Sequence, residues 1–187
     1  MPIALDRTLR GALAGAAAAG VWAAQQPLDM KRFGVAYDDT ELLGKAVTRG
    51  RSWPLVGTAM HLANGALFGA VYANVAPRIP GPAWLRGPAA GMAEHLLTWP
   101  STAAVAKLHP AGDEFPQLWG SRAAFAQATW RHLLFGAVLG GLERALNGPA
   151  PVAAPVVHDD VEAAGIAVAV SLNGHGDPSQ ISDAEHA

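Results

Sequence analysis

Apolar residues gather into four segments, 5–24, 54–76, 83–106 and 123–146, each close to the roughly 20 residues a helix needs to cross a bilayer. Polar residues separate them. The stretch 25–53 holds Asp29, Lys31, Arg32, Asp38, Asp39 and Glu41, and within it 40–49 reads as a short interfacial helix, with acids early and Lys45 and Arg49 late, as the helix dipole favours. The second and third segments are joined only by the proline-rich 77–82, so they should be antiparallel neighbours. The connection 107–122 carries His109-Pro110, Asp113, Glu114 and Pro116 and reads as an ordered loop. Beyond Asn147 the pattern changes to a tail with six acids and no Lys or Arg, expected to be disordered apart from a short apolar run at 166–170. The predicted fold is therefore all-α: a four-helix transmembrane bundle over 1–147 with one interfacial helix, and an acidic tail over 148–187.

Within the apolar segments, glycine and histidine recur at intervals of four. Gly57, His61, Gly65 and Gly69 form one row, Gly87, Gly91 and His95 a second, and His132, Gly136 and Gly140 a third. Residues four apart share a helix face. Small residues on such a face let helix backbones approach closely, so each histidine should point at protein and not at lipid. The five-residue pattern Gly-Ala-x-x-Gly occurs at 11–15, 65–69 and 136–140, and the last two copies follow His-Leu-x-x. Matches this short are read as convergent small-residue packing before internal duplication.

Composition supports the membrane pattern and narrows the partners. The 187 residues are 51% hydrophobic and 15% charged, against roughly 25% charged in ordinary soluble domains. Because alanine and glycine supply much of the apolar content, mean hydropathy is only +0.19. Tryptophan and tyrosine fall mostly near segment ends, where amphipathic rings favour the headgroup level. Net charge is -2 with no basic patch, so nucleic acid is not an expected partner. The absence of cysteine removes disulfides, thiolate catalysis and Cys-based metal sites. An even number of spans places both termini on one side, but the basic residues there (Arg7, Arg10, Arg78, Arg86, Arg144) nearly balance those opposite (Lys31, Arg32, Lys45, Arg49, Arg51, Lys107, Arg122), so orientation is unspecified. Arg7 and Arg10 ahead of the apolar 11–21 also fit a secretory signal, whereas the glycine pattern at 11–15 favours a retained packing helix.

Polar residues inside the segments define the candidate site: His61, Asn64, Glu94, His95, Gln127, Arg131 and His132. The second and fourth segments run in parallel, so His61 and His132 should lie at similar depth, with His95 able to meet them. Glu94 and Arg131 should pair with each other or with the histidines, because either charge alone in an apolar interior costs several kcal/mol. Pro100 should free a carbonyl near that level and kink the third span. Several chemistries fit this set: a structural hydrogen-bond network, a protonation-sensitive network, and a zinc, copper or iron site of His61, His95 and His132 with Glu94. Axial ligation of a haem is a further one. No His-x-x-x-His or Glu-x-x-His pair is present, so no metal or haem is the leading expectation. Ser101 and Thr102 lack a nucleophile elbow, and no catalytic residue is assigned. His109, His158, His175 and His186 are read as solvent-exposed.

The order His61, Gly69, Tyr72, Pro80, Trp84, Gly87, Ala90-Gly91, His95 and Pro100, followed by Trp130, His132 and Glu143, resembles the YagU-like family of small bacterial inner-membrane proteins. Ala14-Gly15 and Pro27 echo it more loosely. The resemblance implies a polytopic, multi-pass protein of the bacterial cytoplasmic membrane associated with acid resistance. Its partners would be the lipid bilayer and, through the glycine rows, a second copy or a larger membrane complex. The loop after the first span and the acidic tail depart from that pattern.

Overall fold

The computed structural model describes residues 4–148, and those residues are all-α, without a strand. Four long helices, α1 (Leu5–Phe33), α3 (Trp53–Val75), α4 (Ala83–Thr98) and α6 (Arg122–Asn147), are accompanied by short ones, α2 (Asp39–Val47) and α5 (Val105–Leu108). Single 3-10 turns occupy Ala76–Arg78, Trp99–Ala104 and Gly112–Glu114. The tail expected to be disordered lies outside the described residues.

Two boundaries differ from the apolar pattern, each for a local reason. Helix α1 does not end near residue 24 but continues through Pro27 to Phe33, where Gly34 caps it in the left-handed region at φ 68° and donates its N–H to the Met30 carbonyl. Pro27 removes one ladder bond without stopping the helix. Gln25, Gln26 and Asp29 are thereby placed on a helix face instead of in a loop. The third apolar segment, in contrast, breaks early. At Trp99–Pro100 the helix tightens into the 3-10 turn, leaving α4 with 16 residues, about 24 Å at 1.5 Å per residue. The short helix expected after the first segment forms over Asp39–Val47, started by Asp38, whose carboxylate accepts from the Thr40 and Glu41 N–H groups.

The helices pack as a row, α3 on α1, α1 on α6 and α6 on α4, while α2 lies against the start of α3. Adjacent members are antiparallel. Gly11 and Gly15 of α1 meet Gly65 and Gly69 of α3, and Gly87 and Gly91 of α4 meet α6 at His132, Gly136 and Gly140. At Gly15, Gly69, Gly87 and Gly136 an added Cβ would overlap the facing carbonyl, so only glycine allows these approaches. Gly57 serves the same purpose against Thr40 and Gly44 of α2. All the glycines of the three rows are thus consumed within one chain.

The interior and the surface divide the residue types in an unusual way. Buried positions are alanines and glycines together with Gln26, Asp29, Thr40, His61, His95, Gln127, Arg131 and Glu143, with few large apolar residues such as Trp22, Phe135 and Leu139. The outward faces carry leucine: Leu13, Leu55, Leu67 and Leu97 are between 67% and 81% exposed. One helix, Trp53–Arg78, is long and apolar enough to cross a membrane by length and composition. None of the other three long helices is long and apolar enough by the same measure.

Candidate functional site

Because α3 packs on α1 and α4 on α6, these two outer helices scarcely touch, and a cleft opens between them with α1 and α6 as its floor. A cavity of about 160 Å³ lies in this cleft, lined by His61, Asn64, Glu94 and His132 and walled by Trp22, Phe68 and Phe135. Of the three histidines expected to meet, only His95 and His132 come into contact. His95 stacks on His132 with ring centroids 4.7 Å apart and an interplanar angle of 29°. His61 does not touch them, because the Trp22 indole stands between, edge-on to His61 at 5.4 Å and to His132 at 4.7 Å.

Hydrogen-bond partners assign the protons on each ring. His132 Nδ1 lies 2.7 Å from the Ala128 carbonyl, which can only accept, so Nδ1 carries hydrogen. Its Nε2 then faces Glu94 Oε2 at 2.6 Å. Two lone pairs cannot meet at that distance, so the contact requires one further proton, held either as imidazolium beside carboxylate or as carboxylic acid beside imidazole. His95 Nε2 is 3.1 Å from Thr129 Oγ1, whose own hydrogen goes to the Phe125 carbonyl, so His95 Nε2 is the donor. His61 Nε2 donates to the Ala19 carbonyl at 3.2 Å, which leaves its Nδ1 as an acceptor. The Asn64 amide and Glu94 Oε1 make no hydrogen bond within the described residues.

Arg131 and Gln127, expected beside these groups, belong to a second cluster at the α2 end of the bundle. Arg131 is fully buried and does not reach Glu94. Its Nε and Nη2 donate to both oxygens of Asp29 at 2.7 and 2.6 Å, Nη1 donates to Asp39 at 2.6 Å, and Nη2 also donates to the Tyr37 carbonyl at 2.9 Å. Gln127 adds a bond to Asp29 at 2.8 Å and one to the Val35 carbonyl at 3.0 Å. The pairing of Arg131 with Glu94 or a histidine is therefore corrected: Asp29 becomes available only because α1 continues past Pro27. The residues missed by sequence reasoning are Asp29, Asp39 and Trp22, and the four-residue offset from Gln25 to Asp29 on one helix face was their one visible signal.

Around this cluster, burial is the main force pushing the Tyr37 hydroxyl well above its ordinary value, reinforced by the charge of Asp39 and a hydrogen bond to it, with Arg131 opposing. Burial also pushes Asp38 upward, but the Thr40 hydroxyl, the Glu41 N–H, the Gln26 amide and the Thr40 N–H together hold it below the usual carboxylate range. His109, expected to be exposed, is half-buried: its Nε2 donates to the Leu42 carbonyl at 2.9 Å and its Nδ1 accepts from the Ala111 N–H, tying the 109–121 loop to α2. His158, His175 and His186 lie outside the described residues. At the opposite end, Arg7 pairs with Glu143 and donates to the Ala73 carbonyl, joining the start of α1 to the end of α6.

Among the described residues no three His, Cys, Asp or Glu side chains converge as a metal cage would require. The chain matches no protein-family model, no curated protein and no solved structure.

Proposed function

We propose that this chain is a non-enzymatic, multi-pass protein of the bacterial cytoplasmic membrane, and that its cavity is a protonatable site serving acid or proton stress. The bilayer placement is supported by polar residues inside and leucines outside, the reverse of a water-soluble bundle. The resemblance to the YagU-like family supplies the link to acid resistance. One observation carries the proton reading: the Glu94–His132 contact cannot exist without a shared proton, and it borders a space open to the cleft. Loss of that proton would leave two acceptors face to face, so uptake and release must change the local geometry. Imidazole is also the side chain whose unperturbed equilibrium lies nearest neutrality.

The test is imidazole NMR of the reconstituted protein, with Glu94→Gln alongside. The imidazole signals are expected to respond to pH between about pH 5 and 8, and that response is expected to change in the variant. Silent histidines across that window would overturn the proton reading. Metal and Soret analysis of the same preparation tests the histidine-ligated alternative. The scaffold alternative has a narrower basis than the glycine rows offered, since these are filled within the bundle; its support is the leucine-rich outer face.

A further inference from the structure

The cavity is not closed at its apolar edge. It shares Phe68 and Glu94 with a groove of about 520 Å³ that runs between α3 and α4, lined by Val71, Val75, Ile79, Ala90, Ala93 and Leu97. A polar chamber thus opens into an apolar channel facing the space where lipid would lie. We infer that the two together bind one molecule, a neutral compound of the quinone or quinol class, with its ring in the cavity and its apolar tail in the groove; this rests on the membrane placement proposed above.

The chemistry of the lining selects that class. No Lys or Arg lines either space, and Glu94 lies among the lining groups, so an anionic phosphate head finds no partner there. Glu94 and His132 with their shared proton form a pair without net charge, which gives an organic cation little to bind. The unsatisfied groups are instead suited to hydroxyl and carbonyl oxygens: the Asn64 amide donates and accepts, while His61 Nδ1 and Glu94 Oε1 accept. Size agrees, since a cavity of about 150 Å³ can hold a benzene ring. Trp22, Phe68 and Phe135 provide flat apolar walls. Depth agrees too. Glu94 lies about 16 Å along α4 from Ala83, far below a phospholipid headgroup but within reach of a neutral ring dissolved in the bilayer core.

The probe is a decyl-tailed benzoquinol, whose hydroxyls can donate to His61 Nδ1 and Glu94 Oε1, titrated into the full chain in phosphatidylcholine nanodiscs and followed by the His61 and His132 imidazole signals. Saturable binding is expected. Asn64→Leu, which removes a head contact, and Ala93→Trp, which fills the groove, should each weaken it at least about tenfold, or ~1.4 kcal/mol. Both residues are exposed, and an unchanged Trp22 indole N–H signal reports that each variant has folded. Leu67→Trp, on the outward face and outside both linings, should leave affinity unaltered. Partitioning without saturation, equal affinity in all variants, or decanol binding as tightly as the quinol would overturn the inference, the last by making a plain alkyl chain the occupant. Release of the protein from membranes by alkaline carbonate would sink the membrane placement and this inference together. Failed binding in a protein that stays embedded and still titrates sinks the ligand alone.

Discussion

Arg131 and His132 are consecutive on α6, yet they belong to different kinds of polar region. A step of about 100° around the helix turns Arg131 toward α1 and α2 and His132 toward α4 and the cleft. The arginine is enclosed, with its Nε and both Nη atoms bonded to Asp29, Asp39 and Tyr37. The histidine is bonded on one side to its own helix and on the other to Glu94, whose side chain is 37% exposed. A buried charge with all three of its nitrogens engaged fixes the register of three helices and has little left to offer a ligand. A pair with one oxygen unengaged and space beside it can change its protonation state. The difference teaches that burial and charge do not mark the site here; incomplete pairing does.

The comparison can be broken most directly at the enclosed region. Arg131→Met leaves Asp29 buried without its countercharge and should cost about 3–5 kcal/mol in denaturant unfolding. Asp29→Leu added to it should recover much of that loss, because the orphaned carboxylate is removed with its partner. A single variant as stable as the parent would erase the distinction between the two regions. The seams that hold the regions in place come next. Gly65→Leu or Gly136→Leu must push α1 from α3 or α4 from α6, for roughly 1–3 kcal/mol or more, and the loss should appear as unfolding of the single chain and not only as loss of association.

Glu94→Gln should have a much smaller effect on stability, no more than about 1 kcal/mol for a pair this exposed, while altering the histidine titration described above. A variant that unfolds as readily as Arg131→Met would make the open pair structural as well. The smallest expected effect is at the surface, where Lys45 and Arg49 meet Glu114. Hydrogen bonds from Lys45 and Arg49 hold the Glu114 carboxyl below its ordinary range, so its contribution is present above that range and fades as pH falls through the lowered value. Bonds to Glu114 and Glu41 hold Lys45 above its ordinary value, so its contribution is present at neutral pH and fades as pH rises through the raised value. Hydrogen-exchange protection in 107–121, taken relative to free-amide exchange at each pH, should therefore be greatest at intermediate pH and fall at both extremes.

Much of the frame was legible from residue spacing. The four-residue glycine rows identified the faces on which α3, α4 and α6 meet their neighbours, and the same rows brought His95 against His132. Acids before bases marked α2 to within a residue or two. What stayed hidden followed largely from ending the first segment at residue 24, where the apolar run gives way to Gln25 and Gln26 although the helix continues through Pro27, so Asp29 was assigned to a loop and Arg131 lost its true partner. The wedge of Trp22 between His61 and His132 was hidden for another reason. Spacing along one helix says which residues share a face, but not which side chain from a neighbouring helix will come between them.

That wedge has a tether. The Trp22 Nε1–H donates to Asp39 Oδ2 at 3.0 Å, the same oxygen that receives Arg131 Nη1, so one carboxylate oxygen serves both polar regions. The indole works as a latch whose catch sits on α2, outside the cleft. Any displacement of that short helix must strain the catch, and a freed ring would widen the one cavity that His61 and His132 already share.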